Sequence, residues 1–204
     1  MKRSMKRSLI AVAVCFAMSA AAQAQQGAAV ETQRDANQQQ RIEQGLQSGE
    51  LNTKEAGRLE RQEQVVEKQE AHAMKSGGTL TPQEQARINR EQNQVSRNIY
   101  REKHDAQKGD PNSASSRRLQ ADVQRNANQQ QRIANGINHG TLSNKEAGHL
   151  EGGQARINRN EANAAANGHV GAREQAHIQG RENNQSKHIY NKKHNAVERG
   201  EKHP

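Results

Sequence analysis

RDANQQQRIEQGLQSGELNTKEAGRLE, residues 34–60, returns as RNANQQQRIANGINHGTLSNKEAGHLE at residues 125–151. Arg41, Ile42, Gly45, Gly49, Leu51, Glu55 and Leu59 each recur 91 positions later. Farther along, Glu84, Ile88, Ser96, Ile99, Tyr100, Lys103 and His104 recur at Glu174, Ile178, Ser186, Ile189, Tyr190, Lys193 and His194, now 90 positions later. A fixed period of this length marks tandem copies of one structural unit. The lost residue falls around Ala73 to Gly78, where a surface loop absorbs a deletion. Two copies follow, 34–109 and 125–200, with a connector at 110–124; the stretch QKGDPNSASSRR at 107–118, rich in Gly, Pro, Ser and Asp, reads as a flexible linker.

Inside each copy a shorter pattern occurs twice: a glycine, an apolar residue two positions on, a glutamate at six and another apolar residue at ten. The four instances are Gly49, Leu51, Glu55, Leu59; Gly78, Leu80, Glu84, Ile88; Gly140, Leu142, Glu146, Leu150; and Gly168, Val170, Glu174, Ile178. Glycine just past a helix takes the left-handed conformation that closes a C-terminal cap, and the apolar residue packs back on the helix it ends. The next helix then starts. Thr81 is placed as its N-cap, Pro82 at its first position and Glu84 at the third, which completes a capping box; Asn52 with Glu55 and Ser143 with Glu146 repeat the arrangement. Gly171 with Glu174 is the weakest version, because glycine offers no side-chain acceptor. Apolar residues recur at helical steps on both sides of the corners, as in Ile88, Val95 and Ile99, and no strand alternation competes with them.

Glycine, hydrophobe and glutamate at these spacings resemble positions 6, 8 and 12 of an EF-hand calcium loop, and their occurrence in pairs resembles paired EF-hands. That resemblance implies an all-α chain of two tandem EF-hand-like modules, each a pair of helix-loop-helix units, of marginal stability. NIYREKH, HIYNKKH and the opening Arg-Ile-x-x-Gly-x-x-x-Gly-x-Leu are also similar to a group of small exported proteobacterial proteins. Calcium needs oxygen ligands at loop positions 1, 3 and 5 as well. Those positions hold Gln44, Leu46, Ser48; Ala73, Lys75, Gly77; Asn135, Ile137, His139; and Asn163, Ala165, Asn167, with no aspartate among them. One glutamate per loop does not offset the dehydration of the ion, so capping explains the pattern better. The loop of Asn163, Asn167 and Glu174 keeps the most oxygen donors and is the remaining candidate metal site.

Residues 1–24 read as a secretory signal peptide. Lys2, Arg3, Lys6 and Arg7 supply the basic start, LIAVAVCFAMSA an apolar stretch, and Ala22-Gln23-Ala24 a small-x-small cleavage site. The repeated MKRS leaves a start at Met5 open, and the apolar residues after Cys15 argue against a lipoprotein. Residues 25–33 are expected to be a disordered N-terminus. Without its four leader cations the chain's +9 charge falls to +5, too mild to point to nucleic acid, and only Tyr100 and Tyr190 remain to stack on bases. Leu, Ile, Val and Phe make up 22 of the 180 residues after Ala24, so any apolar core is small. No segment after the leader is apolar and long enough to span a bilayer.

Seven of the nine histidines lie in the second copy or its tail: His139, His149, His169, His177, His188, His194 and His203. None is paired at three or four residues, the spacing of helical metal sites, so they are expected on the surface. Tyr100 and Tyr190 precede His104 and His194 by four residues, which predicts a tyrosine–histidine contact on each last helix. No nucleophile motif, zinc-protease helix or phosphate loop is present, and the acidic residues, set among Arg, Lys and Gln, are expected on solvated helix faces. The expectation is a periplasmic or secreted, non-enzymatic helical repeat protein, without cofactor, whose charge suits an anionic envelope surface; no nucleic acid is expected as a partner. The alternative is a metal-ion binder, through calcium in the loops or a transition metal on the second copy's histidines.

Overall fold

The computed structural model describes residues 4–77 and 80–195, and the side chains of 26–76 and 80–195. The side chains of the expected signal peptide, Gly78 and His203 lie outside that set. Six α-helices make up the described residues: α1 (Ser4–Ser48), α2 (Thr53–Gly77), α3 (Pro82–Lys103), α4 (Ala114–Asn138), α5 (Asn144–Ala164) and α6 (Ala172–His194), with a short 3₁₀ turn at Ala165–Asn167 and no strand. No helix among the described residues is long and apolar enough to cross a membrane.

The corners are built as their chemistry dictates. Gly49, Gly140 and Gly168 all have positive φ. Leu51 N–H donates to Gly45 O and Leu142 N–H to Gly136 O, each at 2.9 Å, which closes the ends of α1 and α4. The leucines fold back onto glycines: a Cβ on Gly45 or Gly136 would meet Leu51 or Leu142 at 2.6 or 2.5 Å. On the far side of each corner the boxes close. Glu55 N–H donates to Asn52 Oδ1, Glu84 N–H to Thr81 Oγ1 and Glu146 N–H to Ser143 Oγ, while the three glutamates accept from the cap N–H groups. At Gly171 only the second half exists, Gly171 N–H to Glu174 Oε2 at 2.8 Å. The cap groups are therefore satisfied by protein alone.

The two copies close on each other. One cluster holds Ile42, Leu46, Leu51, Leu59, Ile88 and Ile99 from the first copy together with Leu119 of the connector and Ile133, Ile137, Leu142, Leu150, Ile178 and Ile189 from the second copy. Helix α1 runs antiparallel to α4, since Gln33 pairs with Gln131 and Gln120 reaches back to Leu46 O. Helix α2 runs antiparallel to α5, with Arg61 on Asn163 and Glu67 on Asn158. These four long helices form a bundle, and α3 and α6 cover its flanks at equivalent positions, α3 against α1 and α2 and α6 against α4 and α5.

Two expected boundaries differ. The 25–33 segment belongs to α1, where Ala28 and Ala29 are buried, Glu31 accepts from Asn89 and Thr32 donates to Glu151. The 110–124 linker is helical from Ala114, with Ser115 and Ser116 buried, and Ser115 Oγ accepting Val170 N–H at 2.7 Å. Before it, Gly109 N–H donates to Gly49 O at 2.9 Å and pins the connector to the first corner. Counting large apolar residues underrates such segments, because alanine and partnered polar side chains do the packing.

Candidate functional site: a buried carboxylate layer

The three loop residues chosen from sequence do not converge on a common point. Asn163 Oδ1 accepts from Arg61 at 3.1 Å, Asn167 Oδ1 from His169 N–H at 2.8 Å, and Glu174 Oε2 from Gly171 N–H. The described histidines of the second copy are exposed, and their separations give no cluster of metal-ligand spacing. Tyr100 stacks on His104 and Tyr190 on His194, ring centroids 4.1 Å apart in both pairs, with each histidine Nδ1 2.7 Å from the tyrosine carbonyl oxygen.

The placement of the acids is a correction. Glu60, Glu63, Glu67 and Glu70 line one face of α2 at steps of three and four, and all four are fully buried rather than solvated. They meet Asp35 of α1 and Glu151 and Glu161 of α5; Asp122 of α4 and Glu182 of α6 are buried in the same layer. Carboxamides interleave with them. Gln92 of α3 donates to Asp35 Oδ1 at 2.7 Å and Glu70 Oε1 at 3.0 Å, and Gln130 of α4 donates to Glu67 Oε1 at 2.7 Å and Glu151 Oε2 at 3.0 Å. Gln39 donates to Glu60 at 2.9 Å, Asn158 to Glu67 at 2.9 Å. A helix face that spacing marks as core is thus filled with oxygen.

Donors run short in this layer. Every buried side-chain polar atom without a hydrogen-bond partner among the described residues is an oxygen, including Asp35 Oδ2, Glu67 Oε2, Glu70 Oε2 and both oxygens of Glu63. Such groups are costly unless protonated or neutralised. Burial accordingly pushes the carboxyls up: Asp35, Glu60 and Asp122 to about 7, Glu151 and Glu182 to about 8. Glu63, Glu67, Glu70 and Glu161 are held well above the ordinary carboxylate range, first by burial and then by their neighbours' negative charge. Arg34 and Arg41 act on Glu63 only from the edge. One ligand oxygen from each of Asp35, Glu70 and Glu151 lies within 4.8 Å of the other two.

The second copy closes the same positions differently. Where the first has Asp35, Glu63 and Glu67, the second has Asn126, Gln154 and Asn158. Asn126 Nδ2 donates to both oxygens of Glu161, at 3.0 and 2.9 Å, and to Asn158 Oδ1 at 2.6 Å. Asp35 has no amide hydrogen and meets Glu70 carboxyl to carboxyl, a pair held only through a proton.

A cavity of about 840 Å³ opens on the outer side of α2, lined by α2, α3 and α5. Lys68, Lys75, Arg87, Arg156 and Arg159 surround it, beside Val65. The carboxylate among its lining residues, Glu84, is held in its capping box, and Arg87 Nε pairs with Glu91 at 3.3 Å. His149, next to this wall, is pushed below its ordinary range by burial and then by Lys75, Lys192 and Lys145. Outside the layer, Glu55, Glu102 and Asp105 also gather, with Arg58 Nη2 3.0 Å from Glu102 to answer their charge. No protein-family model, no curated protein and no solved structure matches the chain.

Proposed function

We propose that the protein is an exported, non-enzymatic helical repeat protein that binds anionic lipid headgroups of the bacterial envelope through the cationic groove between α2, α3 and α5. Export rests on the leader-like residues 1–24. The observation that carries the binding site is the convergence of Lys68, Lys75, Arg87, Arg156 and Arg159 from three helices on one concavity that also exposes Val65. Cations on a surface attract phosphate, and an apolar wall accepts the first carbons of an acyl chain. The corner loops take no part: their backbone groups are already answered by the capping glutamates.

Co-sedimentation of the full chain with vesicles tests this. Vesicles containing phosphatidylglycerol are expected to retain it, vesicles of phosphatidylcholine alone to leave it in solution, and salt to release it as surface charge is screened. Exchanging Lys75→Glu together with Arg156→Glu is expected to weaken retention roughly tenfold or more, since each basic residue near such a surface contributes about 1 kcal/mol. Equal retention by neutral vesicles, or no response to the double exchange, overturns the reading. Retardation of duplex DNA in place of vesicle binding would assign the groove to nucleic acid instead.

A further inference from the structure

We propose that Asp35, Glu70 and Glu151 form a buried site for one hard divalent cation, with Glu67 beside them. Three helices supply the set: α1, α2 and α5. The 4.8 Å limit on the three oxygens matches the span of a sphere whose ligands stand at about 2.3–2.6 Å from the ion. Oxygen is the only donor type present, without histidine nitrogen or thiolate, which selects calcium, manganese or magnesium over copper or zinc. Nothing in this depends on the cationic groove.

An acidic cluster alone does not make a site; here two further observations point to an ion. Glu67 is fully buried and Gln130 donates both to its Oε1 and to Glu151 Oε2, which sets its other oxygen, without a donor, beside the three. Asp35 Oδ2, Glu67 Oε2 and Glu70 Oε2 receive no hydrogen from an amide or hydroxyl. The second observation is the contrast between copies. At the equivalent position in the second copy an amide stands in place of the aspartate, Asn126 donating to both oxygens of Glu161. In the first copy Asp35 offers no amide hydrogen, and it is joined to Glu70 only by a shared proton, which a cation would replace. Gln92 and Gln130 meanwhile orient the remaining oxygens, the outer-shell role that carboxylate metal sites require.

Manganese is a suitable probe, being countable and paramagnetic. The full chain is unfolded in chelator, refolded at pH 7.5 with Mn²⁺, desalted and analysed for retained metal, because exchange into a closed bundle requires it to open. The expected result is one Mn²⁺ per chain and a higher melting temperature with metal than without. Asp35→Asn recreates the amide closure of the second copy; it is expected to fold, as circular dichroism will show, and to retain roughly tenfold less metal or none. Glu151→Gln, whose remaining carbonyl oxygen can still accept from Thr32 of α1, is expected to do the same. Glu161→Gln in the second copy is expected to keep the metal. Failure of the unaltered chain to retain Mn²⁺, Ca²⁺ and Mg²⁺ alike overturns the proposal, and so does equal retention by the Asp35→Asn and Glu151→Gln chains.

Discussion

In the presence of chelator, the melting temperature is expected to fall by about 10 °C or more as the pH rises from 5 to 8, taking about 2–4 °C per kcal/mol for a chain of this size. The sign follows from the buried layer. In the unfolded chain a carboxyl loses its proton near pH 4, whereas Asp35, Glu60 and Asp122 hold theirs to about 7 and Glu151 and Glu182 to about 8. Between those values the fold binds more protons than the unfolded chain, so stability is full at acid pH and is lost as the pH climbs through the folded values. The charges that face the layer do not reverse this. Helix α1 brings Glu31 and Asp35 with Arg34 and Arg41, α2 brings Glu60, Glu63, Glu67 and Glu70, and α4 brings Asp122 with Arg125. Helices α5 and α6 add Glu151, Glu161 and Glu182, while α3 contributes the uncharged Gln92. Exposed Glu50 and Glu84 are shifted the other way, but solvent screens their pairs. Glu63 isolates the cause: its two oxygens have no partner, so Glu63→Met removes a buried charge without orphaning another group. That exchange is expected to raise the melting temperature at pH 8 by several degrees and to change it little at pH 5. A flat or rising pH profile would show that the layer is open to water.

Chemistry confined to a few neighbouring residues was the part of this fold written plainly in the sequence. The capping boxes at Asn52, Thr81 and Ser143, the left-handed Gly49, Gly140 and Gly168 and the tyrosine–histidine stacks each need partners no more than eight positions away, and these stand as their spacing implies. The six-helix architecture follows from the same corners. The carboxylate layer was not legible, because a glutamate among lysines and glutamines reads as solvated unless its surroundings are known. Its partners lie far off: Glu67 meets Gln130 and Asn158, 63 and 91 positions away. A signal was nevertheless present. Glu60, Glu63, Glu67 and Glu70 keep the three-and-four spacing of a core stripe, and their counterparts Glu151, Gln154, Asn158 and Glu161 keep it too, each of them polar. A scarcity of large apolar residues in a strongly helical chain called for polar burial, not only for disorder. The loop candidates Asn163, Asn167 and Glu174 drew on the EF-hand likeness, whose glutamate serves as a cap at three corners and half of one at the fourth.

Gly57 and Gly148 are where the strongest packing effect is expected, with leucine at either position lowering stability by about 3 kcal/mol or more. The two glycines are equivalent in the copies and sit where α2 and α5 touch. A Cβ on Gly57 would stand 2.6 Å from Ala165 Cβ, and one on Gly148 would stand 2.8 Å from Met74 Cβ and 3.2 Å from Ala71 O. Met74 and Ala165 are themselves equivalent, so the helix pair is clamped by the same contact at both ends. Alanine poses the sharper question, since it gains about 1 kcal/mol in helix propensity over glycine. Contacts under 3 Å between carbons on two rigid helices cannot be relieved by rotating a side chain, so the backbones must part. Parting them admits water to Glu60, Glu63 and Glu67, which loosens the layer that the close approach seals. Gly148→Ala is therefore expected to destabilise despite the propensity gain, and Gly148→Leu to abolish a single cooperative urea transition. Gly180 supplies the opposite case: it lies on the exposed face of α6 with nothing within 4 Å of an added Cβ, so Gly180→Ala is expected to stabilise by about 1 kcal/mol. Urea unfolding of the two alanine variants measures both signs in one experiment, and a gain at Gly148 matching that at Gly180 would mean that α2 and α5 are not in contact there.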